Sequence, residues 1–137
     1  MRRPGLSGSR RRAALLGALA ALAIGATGPA GAQGTSSDTK PYDDKLMRLS
    51  EILGAVHYLR ELCGSSDGQK WRDQMRELMD TEGSSALRRA KLTRSFNTGY
   101  RSYSRTYQSC TPSAQTAIDR FLTEGTQLAD ALIKTVP

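Results

Sequence analysis

Leu46-Met47-Arg48-Leu49-Ser50-Glu51-Ile52-Leu53-Gly54-Ala55-Val56-His57-Tyr58-Leu59-Arg60-Glu61-Leu62-Cys63-Gly64 decides the fold class. Leu46, Leu49, Ile52, Leu53, Val56 and Leu59 recur at intervals of three and four, which places them on one side of a helix, and Cys63 continues that side. No run alternates with period two. The spacing predicts a helix from about Pro41 to Leu62, with Gly64 as its left-handed stop. Outward from it, Ser65-Ser66-Asp67-Gly68 reads as a turn, with Ser66 or Asp67 available as the next N-cap.

Three more helices follow. Gln69–Glu82 carries Trp71, Met75, Leu78 and Met79 on one face and ends at Gly83-Ser84-Ser85. Ala86–Ser109 gathers Leu92, Phe96, Gly99, Tyr100, Tyr103, Tyr107 and Cys110 in a sector of ~100°. Thr111-Pro112 starts the fourth, with Thr as N-cap and Pro at the first helical position, where its missing N–H costs nothing. Its apolar series, Ala114, Ile118, Phe121, Gly125, Leu128 and Leu132, runs to about Ile133 in bundle-like steps of four and three. Gly99 and Gly125, inside helices at a cost of ~1 kcal/mol each, read as close-approach points. The pattern assigns no such role to Gly54.

The N-terminus reads as an address. Arg2, Arg3, Arg10, Arg11 and Arg12 precede the apolar run Ala13–Ala26, and Ala30-Gly31-Ala32 has the small-x-small form of a cleavage site. This is the layout of a secretory signal peptide cut after Ala32. The apolar run rises only ~21 Å as a helix, short of a ~30 Å hydrocarbon core, which disfavours an uncleaved anchor. Ser9-Arg10-Arg11 hints at twin-arginine export, but Arg12 and Ala13 follow where that signal has large apolar residues, so the general secretory route fits better. The expected organisation is a signal peptide over 1–32, a disordered lead-in over 33–40 and a helical domain over 41–137.

That cut changes the charge. The 137-residue chain has 20 basic and 13 acidic residues, a net +7, but five of the basic ones lie in the first twelve positions. The mature chain holds 15 against 13, or +2, too little for a nucleic-acid binder. Length excludes a large enzyme or a multispan membrane protein, and no transmembrane segment is expected after maturation. Cys63 and Cys110 sit at helix ends, on apolar sides by the angular count, in a chain bound for an oxidising compartment. A Cys63–Cys110 disulfide is therefore expected. Closing a loop of that length adds ~4 kcal/mol in the chain-entropy account. The pair has no C-x-x-C spacing that would mark redox chemistry.

Chemistry-bearing constellations are few. His57, the only histidine, reads as a partly buried structural residue with no second ligand to complete a zinc set. Asp73, Glu77 and Asp80 share a helix face with Arg72 and Arg76, which favours a solvated, salt-bridged surface over a calcium site. No cofactor or metal is expected. One feature rises above background: Arg88–Arg105 contains Arg88, Arg89, Lys91, Arg94, Arg101 and Arg105 and no acid. Arg88, Lys91, Arg94, Arg101 and Arg105 form the candidate binding face, suited to phosphate or carboxylate groups of an anionic envelope component or an acidic protein. Tyr100, Tyr103 and Tyr107 face the other way and read as core, so nucleic acid is a poor fit.

Several motifs together resemble an uncharacterised exported family of alphaproteobacteria. These are Glu51–Arg60, Leu62-Cys63-Gly64, Trp71-Arg72-Asp73-x-Met75, Phe96-Asn97-x-Gly99-Tyr100-Arg101, Thr106-Tyr107-x-x-Cys110-Thr111-Pro112 and Ala117-Ile118-x-Arg120-Phe121-x-x-Glu124-Gly125. The likeness spans about Leu49–Gly125. It implies a two-cysteine helical protein of the Gram-negative periplasm and carries no catalytic residue over. The expectation is an all-α fold, a small four-helix bundle tied by one disulfide, acting as a non-catalytic interaction module. The alternatives are a small envelope enzyme acting on peptidoglycan through Glu124 with Arg120 nearby, and a periplasmic holdase.

Overall fold

The computed structural model describes residues 38–135. The expected signal peptide over 1–32 and most of the expected lead-in over 33–40 lie outside the described residues. Four helices follow in order: α1 Asp43–Leu62, α2 Gly68–Glu82, α3 Ala86–Thr106 and α4 Pro112–Thr135. The all-α, disulfide-tied bundle is thus the observed architecture, with Cys63 bonded to Cys110 and their Cα atoms 4.8 Å apart.

The ends follow local chemistry. Gly64, at φ +79°, stops α1. Ser65 N–H reaches back to Arg60 O and Gly64 N–H to Glu61 O, the paired bonds of a Schellman motif. Ser85 caps α3 by accepting from Arg88 N–H, and Thr111 caps α4 by accepting from Ala114 N–H. Two expectations shift. α1 begins at Asp43 because Pro41 and Tyr42 form a turn, leaving Asp43 and Asp44 in the first turn, where the helix dipole favours acids. α3 ends at Thr106, not Ser109: Tyr107 turns extended, its carbonyl accepts from Tyr58 O–H, and Pro112 disfavours a helical residue before it. Cys110 therefore lies in an exposed link rather than on the apolar side of α3.

α1 is the hub. It packs on each of the other three helices, whereas α2 and α4 have no close backbone approach among the described residues. Tyr42 on Glu82 and Arg48 on Glu124 show α2 and α4 running antiparallel to α1. Arg88 on Asp43 near its start and Cys63–Cys110 at its end show α3 running parallel to it. α1 and α3 are thus the pressed-together diagonal of the bundle. Gly54, unassigned from the sequence, explains why. A Cβ there would fall well inside contact distance of the Phe96 carbonyl, and a Cβ on Gly99 would do the same to the Glu51 carbonyl. The two glycines lie at the crossing and let the backbones touch.

A hub has no outside face over its middle. Ile52–His57 are six consecutive buried residues, so the one-sided stripe read from the sequence understates α1. One core cluster joins Ile52, Val56 and Leu59 to Ala114, Ile118 and Phe121 of α4. A second joins Leu46 and Leu53 to Met75, Leu92 and Leu132. At about 25 cal/mol per Å² of apolar surface, each buried leucine contributes roughly 2 kcal/mol.

Candidate functional site

The acid-free run of α3 divides into two parts. Lys91, Arg94, Arg101 and Arg105 are exposed, and none pairs with a carboxylate among the described residues. Arg94, Arg101 and Arg105 are spaced seven and four, which sets them in one line along the helix. Beside that line a shallow depression of about 550 Å³ runs between α2 and α3, lined by Met79, Arg89, Thr93, Arg94, Asn97 and Arg101. Its guanidinium groups and the Asn97 amide can donate together to one phosphate or carboxylate.

Arg88 does not belong to this face. It is 2% exposed, and its guanidinium meets Asp43 at 2.6 Å and Glu82 at 3.2 Å and donates to the Asp38 carbonyl at 3.0 Å. Burial works against its charge, yet the hydrogen bond and charge of Asp43, with those of Glu82, outweigh that and hold the group more firmly protonated. Asp38, expected in the lead-in, is also tied to Ser84 and Ser85. On a wheel of 100° per residue Arg88 stands ~120° from Arg94. That angle was the available signal for separating it from the exposed line.

The remaining sequence candidates are structural in place. His57 is 2% exposed, stacks on Phe96 and lies beside Tyr100. Its Nδ1 lacks a hydrogen bond, with Glu61 Oε1 3.9 Å away. Asp73 bonds Gln69 and Arg76 and Asp80 faces Arg89, so the acids of α2 do not converge. Glu124 is gripped by Arg48 through two bonds of 2.7 and 3.0 Å. That grip holds its carboxyl below the usual range, burial opposing. Arg60 does the same for Asp67, with help from Ser65.

The sequence reading missed an apolar slot of about 770 Å³ between α2 and α4, floored by α1. Leu49 and Val56 lie on its floor, Trp71 and Leu78 on one wall, Leu122 and Ile133 on the other. Glu124 is not among its lining residues. The signal lay in α4: Leu122, Ala129 and Ile133 form a second stripe beside the one packed on α1.

Fold and surfaces together define a disulfide-tied helical domain with one basic and one apolar face, and without a convergent set of catalytic groups among its described residues. The chain belongs to the family described as "Protein of unknown function (DUF2385)", which it matches over residues 41–135. No curated protein and no solved structure matches it.

Proposed function

We propose that this chain is exported to the periplasm of a Gram-negative bacterium, loses residues 1–32, and acts there as a non-catalytic interaction module. Its basic α3 line would hold an anionic envelope component or an acidic protein. The observation that carries the reading is the contrast among arginines. Arg48, Arg60, Arg76, Arg88 and Arg89 each pair with a carboxylate, whereas Arg72, Arg94, Arg101, Arg105 and Arg120 make no such pair among the described residues, and of these Arg94, Arg101 and Arg105 lie exposed in a row on one helix. Unpaired charges in line attract a polyanion at low ionic strength more than they stabilise the fold. The Cys63–Cys110 bond suits an oxidising compartment. No helix among the described residues is long and apolar enough to cross a membrane.

The peptidoglycan-enzyme reading loses ground at Glu124. A general acid works with a raised pKa, and Arg48 pushes this one down. Nothing specific favours the holdase reading.

The test replaces Arg94, Arg101 and Arg105 by Ala together. Binding to vesicles rich in anionic lipid and to lipopolysaccharide should fall about tenfold or more at low salt, and the wild-type difference should shrink as salt rises. Far-UV circular dichroism and the melting temperature should stay unchanged. Equal binding by the triple variant overturns the reading. The compartment is tested separately by mass spectrometry of the protein from fractionated cells. A mature chain starting at Gln33 is expected; a cytoplasmic chain with its leader intact counts against export.

A further inference from the structure

The basic row of α3 continues into one apolar residue. Counted at 100° per residue, Leu87 stands within about 40° of Arg94, Arg101 and Arg105, so the four form a single ridge. Gly99, which faces the Glu51 carbonyl of α1, stands ~160° round the helix from Arg101. The ridge therefore looks away from α1. From Leu87 to Arg105 it runs about 27 Å at 1.5 Å per residue. Leu87 is 60% exposed, and Ala86 and Ala90 near it are exposed as well. The fold does not account for a leucine there, since Leu87 belongs to neither core cluster.

α3 has no acid along its length, and the carboxylates at its margins are engaged elsewhere. Asp80 faces Arg89, off the ridge line. Asp43 and Glu82 hold Arg88. Asp38, which lies within the field of Lys91, is bonded by Ser84 and Ser85. An acidic polypeptide would answer the arginines. A line of cations ended by an exposed leucine matches something further, a surface that is charged outside and apolar beneath. Anionic headgroups spread in a plane meet the whole straight ridge at once, and the layer below them receives the leucine. We infer that the anionic partner of the basic face is a phospholipid surface, along which α3 lies with Arg94, Arg101 and Arg105 on phosphates and Leu87 sunk between headgroups. This rests on the interaction-module reading and names its partner.

The probe is a vesicle of phosphatidylglycerol and phosphatidylcholine in equal parts, and poly-glutamate is its soluble counterpart. Flotation at low salt should recover the wild type with these vesicles, and vesicles of phosphatidylcholine alone should bind on the order of tenfold more weakly. Leu87→Ser should weaken vesicle binding about fivefold and leave its salt dependence in place, because burial and charge act separately. Leu87→Trp should bind at least as tightly as the wild type. Brominated lipid should quench it more than the wild type, whose only tryptophan, Trp71, is half-buried on α2. Far-UV circular dichroism of both variants should match the wild type, since Leu87 is exposed. The lipid surface is overturned if Leu87→Ser binds vesicles as the wild type does, or if Leu87→Trp shows no added quenching. Equal affinity for poly-glutamate and vesicles overturns it too, by assigning the face to an acidic protein. The Arg94, Arg101 and Arg105 triple variant separates the two levels. If it binds vesicles normally, the basic face and this inference fall together; if it loses binding while Leu87→Ser does not, only the lipid surface falls.

Discussion

The two sides of α1 are built on opposite terms. Toward α3 the helix presents Gly54 to Gly99, and the backbones meet with no room for even a methyl group. Away from α3 it is covered by the side chains of α2 and α4, and above it Trp71, Leu122 and Ile133 border an apolar slot that the two helices do not close. The closed side fixes where the helices lie; the open side leaves apolar surface over. In a domain this small, apolar surface left open between helices is burial forgone.

The largest expected effect tests the closed side. Gly99→Leu drives a side chain into the Glu51 carbonyl, which cannot yield without parting α1 from α3. The loss should be on the order of 5 kcal/mol in urea unfolding, enough to empty the native state of a small domain. A loss below about 1 kcal/mol would show that the crossing is not a fixed contact. Next, Arg88→Met leaves the Asp43 and Glu82 carboxylates facing each other without their cation. Removing one partner of a buried ion cluster costs about 3–5 kcal/mol. A melting temperature as little changed as that of the Arg94, Arg101 and Arg105 triple variant would instead place Arg88 with the exposed line.

Smaller effects sharpen the contrast from the open side. The Arg48–Glu124 pair is 34–40% exposed, so Glu124→Gln should cost only about 0.5–1 kcal/mol after screening. The folded-state pKa of Glu124 lies below its unfolded value near 4.3. The pair's contribution is therefore complete above that unfolded value and is lost as pH falls through the lowered one. Urea titrations from pH 6 downward should show the wild type and Glu124→Gln converging in acid; a constant gap would exclude the ionic origin. Last, Gly125→Ala places its Cβ 3.4 Å from Ile52 Cγ2, a contact that a small shift absorbs. The better helix propensity of Ala should make the change neutral or stabilising by up to about 1 kcal/mol. The same substitution at Gly99 should destabilise strongly, and matching outcomes at the two positions would erase the difference between the sides.

Much of this was legible locally. Gly64, Ser85 and Thr111-Pro112 mark helix ends in the sequence and do so in the structure, because caps and stops act over a few residues. The apolar series of α4 packs where its period says. Cys63 and Cys110 were pairable because both fall where chains turn. Gly54 and Arg88 were read less well for a shared reason. A glycine within a helix carries no mark of what faces it, and an arginine in an acid-free run looks solvated until a distant helix brings acids to it. Asp43 and Glu82 come from α1 and α2, far apart along the chain, and only their docking makes the cage.

The amino-acid order alone set the four helices, the stop at Gly64, the caps at Ser85 and Thr111 and the basic line on α3, since each depends on period, caps or charge within a few residues, and it marked the two cysteines as a pair. Packing decided that α1 would be the hub, that Arg88 would be buried, and that α2 and α4 would stand apart. Those outcomes depend on how closely two backbones approach at Gly54 and Gly99, and an approach distance is a property of a pair of helices that neither sequence segment states by itself.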